Sequence, residues 1–130
     1  MITKNKIKFV KSLQQKKNRI IHSSFVVESD KDVLELLSSN YEIKELFAIK
    51  RWIKNTNIKD SLSVNEVSEK ELQRMSSLQT SSDVLAIVKI PDRIDIFNFT
   101  GVNIVLDNIK DPGNLGTIIR ICDWFGVKNI

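Results

Sequence analysis

Apolar and polar positions along residues 1–90 form a series of short periodic segments. Helical spacing in residues 3–16, capped by Thr3 or Asn5, places Ile7, Val10 and Leu13 on one side. Further helices are predicted after Ser29 or Asp30, at residues 51–55 and after Ser68. Apolar runs predict strands at residues 25–28, 43–49, 62–67 and 84–88. Helices therefore alternate with strands, which favours an α/β fold, a three-layer α/β/α domain with a mainly parallel sheet.

The segment after Val67 carries a recognisable helix start. Ser68 and Glu71 have the spacing of a capping box, in which each side chain accepts a hydrogen bond from the other residue's backbone N–H. Leu72, Met75 and Leu78 follow at helical spacing. These three side chains are expected to face the core.

The last thirty residues predict a strand, a loop, a helix and the start of another strand. Residues 102–106 are an apolar run, residues 111–113 (Asp-Pro-Gly) are a turn signal, and Asn114 is the expected N-cap. Gly126 stands where the helix should stop. The expected core-facing stripe of that helix is Leu115, Ile118, Ile119 and Cys122. We expect a first domain at residues 1–98 and, at 99–130, the first part of a second α/β domain that is not complete at Ile130.

Positive charge is concentrated at the N-terminus. The chain has 20 Lys or Arg and 16 Asp or Glu, yet residues 1–22 hold seven basic residues and no acid, so the rest carries a net −3. Such a distribution favours contact with a polyanion over a merely solvated helix face.

The remaining composition narrows the class of protein. Cys122 is the one cysteine, which excludes an internal disulfide and favours a reducing, cytoplasmic setting. We expect no membrane span, no secretory signal and no metal site. His22 is expected in a solvated loop, and Trp52 and Trp124 are expected to be partly buried packing residues.

Two features of the C-terminal segment admit a functional and a structural interpretation. The loop at residues 111–116 precedes a helix and could hold an anion, but it is neither a Walker A loop nor a dinucleotide fingerprint, and a tight turn fits equally well. Arg120 lies opposite the apolar stripe. It either pairs with Asp123 at the surface or presents its planar guanidinium to a phosphate.

The C-terminal segment resembles the first conserved motif of the SpoU (TrmH-like) RNA 2′-O-ribose methyltransferases of the SPOUT superfamily. Residues 1–98 resemble the family's N-terminal RNA substrate-binding domain, an α/β fold related to RNA-binding ribosomal proteins. Ser29 stands where the family usually has Gly, and residues 80–83 depart from its usual Thr-Pro-Gln-Gly. The matching motif residues are Asp107, Asp111, Pro112, Asn114, Gly116, Arg120, Phe125 and Gly126.

The resemblance implies methyl transfer from S-adenosylmethionine to a ribose 2′-hydroxyl of rRNA or tRNA. It implies catalytic roles for Arg120 and Asn114, and a homodimer for the full-length enzyme. The S-adenosylmethionine pocket of the α/β-knot domain is expected beyond Ile130, so that this chain alone neither binds the cofactor nor turns over. The residues implied to hold RNA are Lys16, Lys17 and Arg19.

Two other classes of function stay open at this point. One is a non-catalytic RNA-binding module of the ribosomal-protein-like type that keeps a vestigial tail. The other is a scaffold in which the tail completes its sheet with a partner molecule, since the edge of a strand at residues 102–106 would invite pairing.

Overall fold

The computed structural model describes residues 2–59, 61–80, 82–92 and 100–130. The chain divides into two compact units, Met1–Asp92 and Arg93–Ile130. The predicted boundary between residues 98 and 99 falls outside the described residues and stays a prediction. The second unit contains α6 (Pro112–Trp124). The first contains α1 (Lys4–Ser12), α2 (Lys16–His22), β1 (Ser24–Glu28), α3 (Asp30–Leu37), β2 (Ile43–Ala48), α4 (Lys50–Asn55), β3 (Val64–Glu66), α5 (Glu69–Met75) and β4 (Val84–Lys89).

One four-stranded sheet organises the first unit, in the order β1-β4-β2-β3. Strand β4 runs antiparallel to both neighbours, and only β2 and β3 pair in parallel. The expectation of a mainly parallel sheet is therefore wrong. An alternation of helices and strands gives a parallel sheet only if every strand runs in the same direction. Strand β4 runs in the direction opposite to that of its two neighbours.

The sheet is buried on both faces, which confirms the three-layer α/β expectation. Successive residues of a strand point to opposite faces, and all five residues from Val84 to Val88 are at most 1% exposed. Helix α3 packs against β1 and β4, and α1 packs against α5. The core contains Ile7, Val10 and Leu13 as predicted, together with Phe47 and Trp52.

The N-terminal helix is shorter than expected. Thr3 caps it, accepting a hydrogen bond from the Lys6 backbone N–H at 3.2 Å, but α1 ends at Ser12 rather than near residue 16. Side chains of α2 bind carbonyls that a longer first helix would have used, including that of Ser12, which accepts from Asn18 Nδ2 at 2.9 Å. A second helix, α2, follows at once, and His22 is its last residue rather than part of a loop.

The capping box of α5 is present as predicted, but the helix ends at Met75. Leu78, expected to face the core, is 43% exposed. The chain leaves the helix because Glu28, at the end of β1, binds the next two residues. Its carboxylate accepts hydrogen bonds from Ser76 Oγ, from the Ser77 backbone N–H at 3.0 Å and from Ser77 Oγ at 2.7 Å.

In the second unit the predicted strand at residues 102–106 is reduced to an isolated parallel bridge between Asn103 and Asn129. The pair is reinforced by a hydrogen bond from Asn129 Nδ2 to Asn103 Oδ1 at 2.6 Å. A strand needs a continuous ladder, and the described part of this unit offers one partner residue only. The parallel direction still agrees with the predicted strand–helix–strand order. Gly126, at φ +68°, ends α6 as expected.

Candidate functional site

Helix α6 begins three residues earlier than the sequence pattern indicated. Asp111, not Asn114, is its N-cap, with carboxylate oxygens that accept hydrogen bonds from the backbone N–H groups of Gly113 at 3.4 Å and Asn114 at 3.0 Å. Pro112 occupies the first helical position, where its fixed φ suits the helix and its missing N–H costs nothing. The Asp-Pro pair is therefore a helix start. The prediction of a turn with Asn114 as the cap is wrong.

Arg120 lies exposed on α6. No ion pair or hydrogen bond of its guanidinium occurs within the described residues, so the surface pair with Asp123 does not form. At about 100° per residue, Arg120 shares its side of the helix with Gly116 and Thr117. A Cβ built on Gly116 would meet nothing within 4 Å. The guanidinium is therefore accessible to an anion from solvent.

The structure does not bring the two predicted catalytic residues onto one face of α6. Asn114 and Arg120 are six residues apart, which separates their directions by about 120° around the helix. Asn114 is exposed. A substrate that touches both would have to wrap part of the way around the first two turns.

Much of the apolar surface of the second unit is exposed. Of the predicted core-facing stripe only Cys122 is buried, while Leu115 is 37% and Ile119 47% exposed. Trp124, expected to be partly buried, is 85% exposed, and Phe125 is 76% exposed. The described part of the chain therefore leaves these apolar side chains uncovered.

The predicted RNA-binding residues separate into two kinds. Lys16 and Lys17, at the start of α2, are exposed. Arg19 is half-buried and donates from Nη1 to the carbonyl oxygens of Leu13 at 3.2 Å and Gln14 at 2.6 Å. Its guanidinium therefore holds the turn between α1 and α2, and its remaining N–H groups point to no acceptor among the described residues.

Other cations of the first unit are also partly used by the fold. Lys6 Nζ pairs with Glu45 at 2.7 Å and lies 5.6 Å from the centre of the Phe9 ring. Lys4, Lys8 and Lys11 are exposed and follow the spacing of one helix face.

A polar concavity that the sequence reasoning missed lies beside α5. It has a volume of 740 Å³ and is lined by side chains that include Arg51, Lys70 and Arg74. Arg51 forms a two-pronged contact with Asp83, at 2.9 and 2.8 Å, and this hydrogen bonding raises the pKa of the guanidinium. Lys70 and Arg74 stand one turn apart, and that i, i+4 spacing after the capping box was a signal available in the sequence.

Within the described part of the chain, no group of three or more His, Cys, Asp or Glu could hold a metal ion. No helix there is both long and apolar enough to cross a membrane.

Each of the two parts of the chain matches a known protein family. Residues 4–86 match the MRM3-like substrate binding domain, and residues 101–130 match the SpoU rRNA Methylase family. The first match covers more than half of the chain and contains all the helices and strands of the first unit except the last three residues of β4. The second contains Asp111, Asn114 and Arg120.

Individual relatives agree with the family matches. Over 125 residues, 96% of its length, the chain is 26% identical to the 23S rRNA (guanosine(2553)-2'-O)-methyltransferase RlmP of Bacillus subtilis. A putative RNA methyltransferase of the TrmH family from Porphyromonas gingivalis aligns over 98% of the chain with 30% identity and a TM-score of 0.78. The AdoMet-bound rRNA methyltransferase from Sinorhizobium meliloti aligns over 95% with 30% identity and a TM-score of 0.73.

The chain spans about half the length of these relatives: 50% of the Bacillus protein, 51% of the Porphyromonas chain and 49% of the Sinorhizobium chain. The matched half contains the substrate-binding fold and the helix that carries Arg120. Through these two matches, the chain belongs to the SpoU (TrmH-like) family of RNA methyltransferases.

Proposed function

We propose that this chain supplies the RNA-binding domain and the first catalytic motif of an S-adenosylmethionine-dependent RNA 2′-O-ribose methyltransferase that acts on rRNA or tRNA. The observation that carries the proposal is Arg120, a cation with no partner among the described residues, on the helix matched to the SpoU family. The name of the Bacillus relative describes a 2′-O-methyltransferase of 23S rRNA.

Methyl transfer to a ribose 2′-hydroxyl depends more on positioning of the hydroxyl and stabilisation of charge than on a strong base. A ribose 2′-hydroxyl is a poor nucleophile, and S-adenosylmethionine supplies an activated methyl group when bound. The hydroxyl must be held in line with that group as its own proton leaves. A guanidinium keeps its proton at physiological pH, so Arg120 acts as a donor that orients the hydroxyl or its neighbouring phosphate and stabilises developing negative charge. Asn114 contributes amide hydrogen bonds that order the substrate at the helix start.

RNA binding falls to the first unit. The ammonium groups of Lys16 and Lys17 contact backbone phosphates, which sets affinity and register rather than sequence choice. Arg19 holds the turn that presents these lysines, and the guanidinium N–H groups beyond Nη1 are placed to contact a phosphate as well. The exposed Lys4, Lys8 and Lys11 on α1 extend the positive surface.

No residue of this chain is assigned to cofactor binding. The residues that hold S-adenosylmethionine are proposed to lie in the half of the relatives that this chain does not match. A homodimer is proposed for the full-length enzyme, supported by the exposed Val105, Trp124 and Phe125. A cytoplasmic location is supported by the buried, unpaired Cys122.

Calorimetric titration of S-adenosylmethionine tests the proposal directly. It is carried out on this chain and on the full product of its gene, with S-adenosylhomocysteine as a second ligand. We expect binding by the full product and none by the chain of 130 residues alone. If neither binds while the chain still binds RNA, the methyltransferase proposal fails and a non-catalytic RNA-binding module replaces it.

A further inference from the structure

Helix α2 exposes its large apolar residues to solvent and turns polar residues toward the protein. None of its seven residues is buried, and Ile20 and Ile21 are 63% and 60% exposed. Surface helices of globular proteins normally turn such residues toward the core. Here the side facing the protein is polar.

Hydrogen bonds and one ring contact hold the inner side of α2. Asn18 Nδ2 donates to the Ser12 carbonyl oxygen at 2.9 Å, and Arg19 Nη1 donates to those of Leu13 and Gln14. The His22 ring meets the Phe9 ring edge to face, with centroids 5.0 Å apart. The helix is therefore anchored without its isoleucines.

The outer side of α2 is made of two lysines and two isoleucines. At about 100° per residue, Lys16, Ile20, Lys17 and Ile21 follow one another around an arc of about 140°, while Asn18, His22 and Arg19 occupy the opposite arc. We call the four residues the outer face of α2. Each isoleucine lies next to a lysine one turn earlier, so that apolar contact and positive charge are offered at the same place.

The composition of this face selects its partner. The first 22 residues contain seven cations and no acid, which favours a polyanion. Two isoleucines form a small patch, whereas a stable protein interface buries roughly 800 Å² per partner. Single-stranded RNA presents both phosphates and unstacked bases within a few ångströms of each other. Aliphatic side chains such as Ile insert between the base steps of DNA in other proteins, and the same apolar contact is open to an unstacked RNA base.

We propose that the outer face of α2 recognises an unpaired nucleotide, with Lys16 and Lys17 on the flanking phosphates and Ile20 and Ile21 against the base and ribose. The inference rests on the proposed RNA-binding function and deepens it. The first unit would then discriminate looped RNA from continuous duplex, because the bases of a duplex remain stacked and its narrow major groove excludes side chains.

Fluorescence anisotropy with the full 130-residue chain tests this inference. The probes are an RNA hairpin with a single-stranded loop and a blunt duplex with the sequence of its stem, each titrated over a series of KCl concentrations. The Ile20→Ser/Ile21→Ser double variant is expected to lose about tenfold in affinity for the hairpin, since it removes several contacting methyl and methylene groups. Its salt slope should equal that of the wild type. Its affinity for the duplex should be unchanged.

Two control variants separate the contributions. Lys16→Gln is expected to weaken both probes and to lower the magnitude of the salt slope by about 0.7–0.9. Leu34→Ser removes an exposed side chain of α3, 47% exposed, and should change neither affinity. Circular dichroism should give the same melting temperature for the wild type and the isoleucine variant, because both residues are exposed.

The outcomes separate this inference from the function beneath it. If the isoleucine variant binds the hairpin as tightly as the wild type, the inference is wrong and the RNA-binding proposal stands. If the variant instead shifts a monomer–dimer equilibrium in sedimentation, the outer face is a contact between copies of the chain, and the inference is again wrong. If the wild type binds neither probe even at low salt, the proposed function fails as well.

Discussion

Ser29 is the position at which a single substitution should stabilise this protein. It has φ +104° and ψ 144°, a region of backbone conformation that is close to exclusive to glycine. Its side chain partly offsets the strain as the N-cap of α3, because Ser29 Oγ accepts from the Asp32 N–H at 3.2 Å and donates to Asp32 Oδ2 at 2.8 Å. Its backbone N–H donates to Ser82 Oγ at 3.2 Å.

Replacing Ser29 with Gly sets one stabilising effect against two destabilising ones. Removing Cβ relieves strain of about 1–3 kcal/mol. Exchanging a Ser cap for Gly costs a few tenths of a kcal/mol, and the greater freedom of Gly in the unfolded chain costs about 0.4–1 kcal/mol. The hydrogen bond to Ser82 is kept because it uses the backbone. We therefore expect Ser29→Gly to raise the free energy of unfolding by about 1 kcal/mol, or the melting temperature by roughly 4–8 °C for a domain of this size.

Urea denaturation followed by circular dichroism measures the change, and Ser68 provides a matched control. Ser68 is also an N-cap, of α5, but its φ of −78° is unstrained. Ser68→Gly should destabilise slightly, and Ser29→Ala, which keeps the strain and loses the cap, should destabilise by about 1 kcal/mol. If Ser29→Gly is no more stable than the wild type while Ser68→Gly behaves as expected, the backbone at position 29 is not strained and the reasoning is refuted.

Three other substitutions probe the ends of helices and the candidate site. Arg120→Lys in the full gene product should lower kcat for methylation by about 10²–10³ with little change in RNA affinity, because an ammonium cannot reproduce the planar donors, whereas Lys128→Gln should leave kcat unchanged. Asp111→Ala removes the cap of α6, so amide hydrogen exchange in its first turn should accelerate; Asp111→Asn should retain protection, and equal exchange in both variants would contradict the capping role. Hydrogen bonds from the backbone N–H groups of Ser68 and Ile2 lower the pKa of Glu71 to about 2, so the stability it confers is complete above about pH 4.3 and is lost as the pH falls toward 2. Glu71→Gln should flatten this part of the stability–pH profile, and an unchanged profile would remove Glu71 as its source.

Local signals predicted the elements well, and tertiary context decided the rest. The capping box at Ser68, the strand at residues 84–88 and the stop at Gly126 each depend on chemistry within a few residues. The antiparallel direction of β4 depends on the end of the strands at which the chain arrives before β4 begins. No local sequence pattern encodes that position. The early end of α1 required Asn18 and Arg19, six residues downstream of the carbonyls they bind.

The candidate site also combines features that the local sequence predicted with features that it did not. Helical period was sufficient to place Arg120 on the side of its helix opposite the apolar stripe. Its catalytic role was implied only by the resemblance to the SpoU motif, and it stays a prediction. The true cap at Asp111 was missed although the Asp-Pro pair is a local helix-start signal, since the pair was interpreted as a turn. The exposure of Trp124 and Phe125 could not be predicted from periodicity, which identifies apolar residues but not the surface that covers them.

Unpaired charge identifies the proposed RNA contacts better than total charge does. Lys6, Arg19 and Arg51 belong to the same basic composition as Lys16 and Arg120, but the fold uses the first three: each has a carboxylate or carbonyl partner within 3.2 Å. A cation that is already bound gains less from a phosphate, because part of its existing interaction must be given up. Exposed cations without a partner among the described residues lose only hydration and mobility on binding, and they release counterions from the RNA. The search for the substrate-binding surface should therefore begin at the start of α2 and at Arg120.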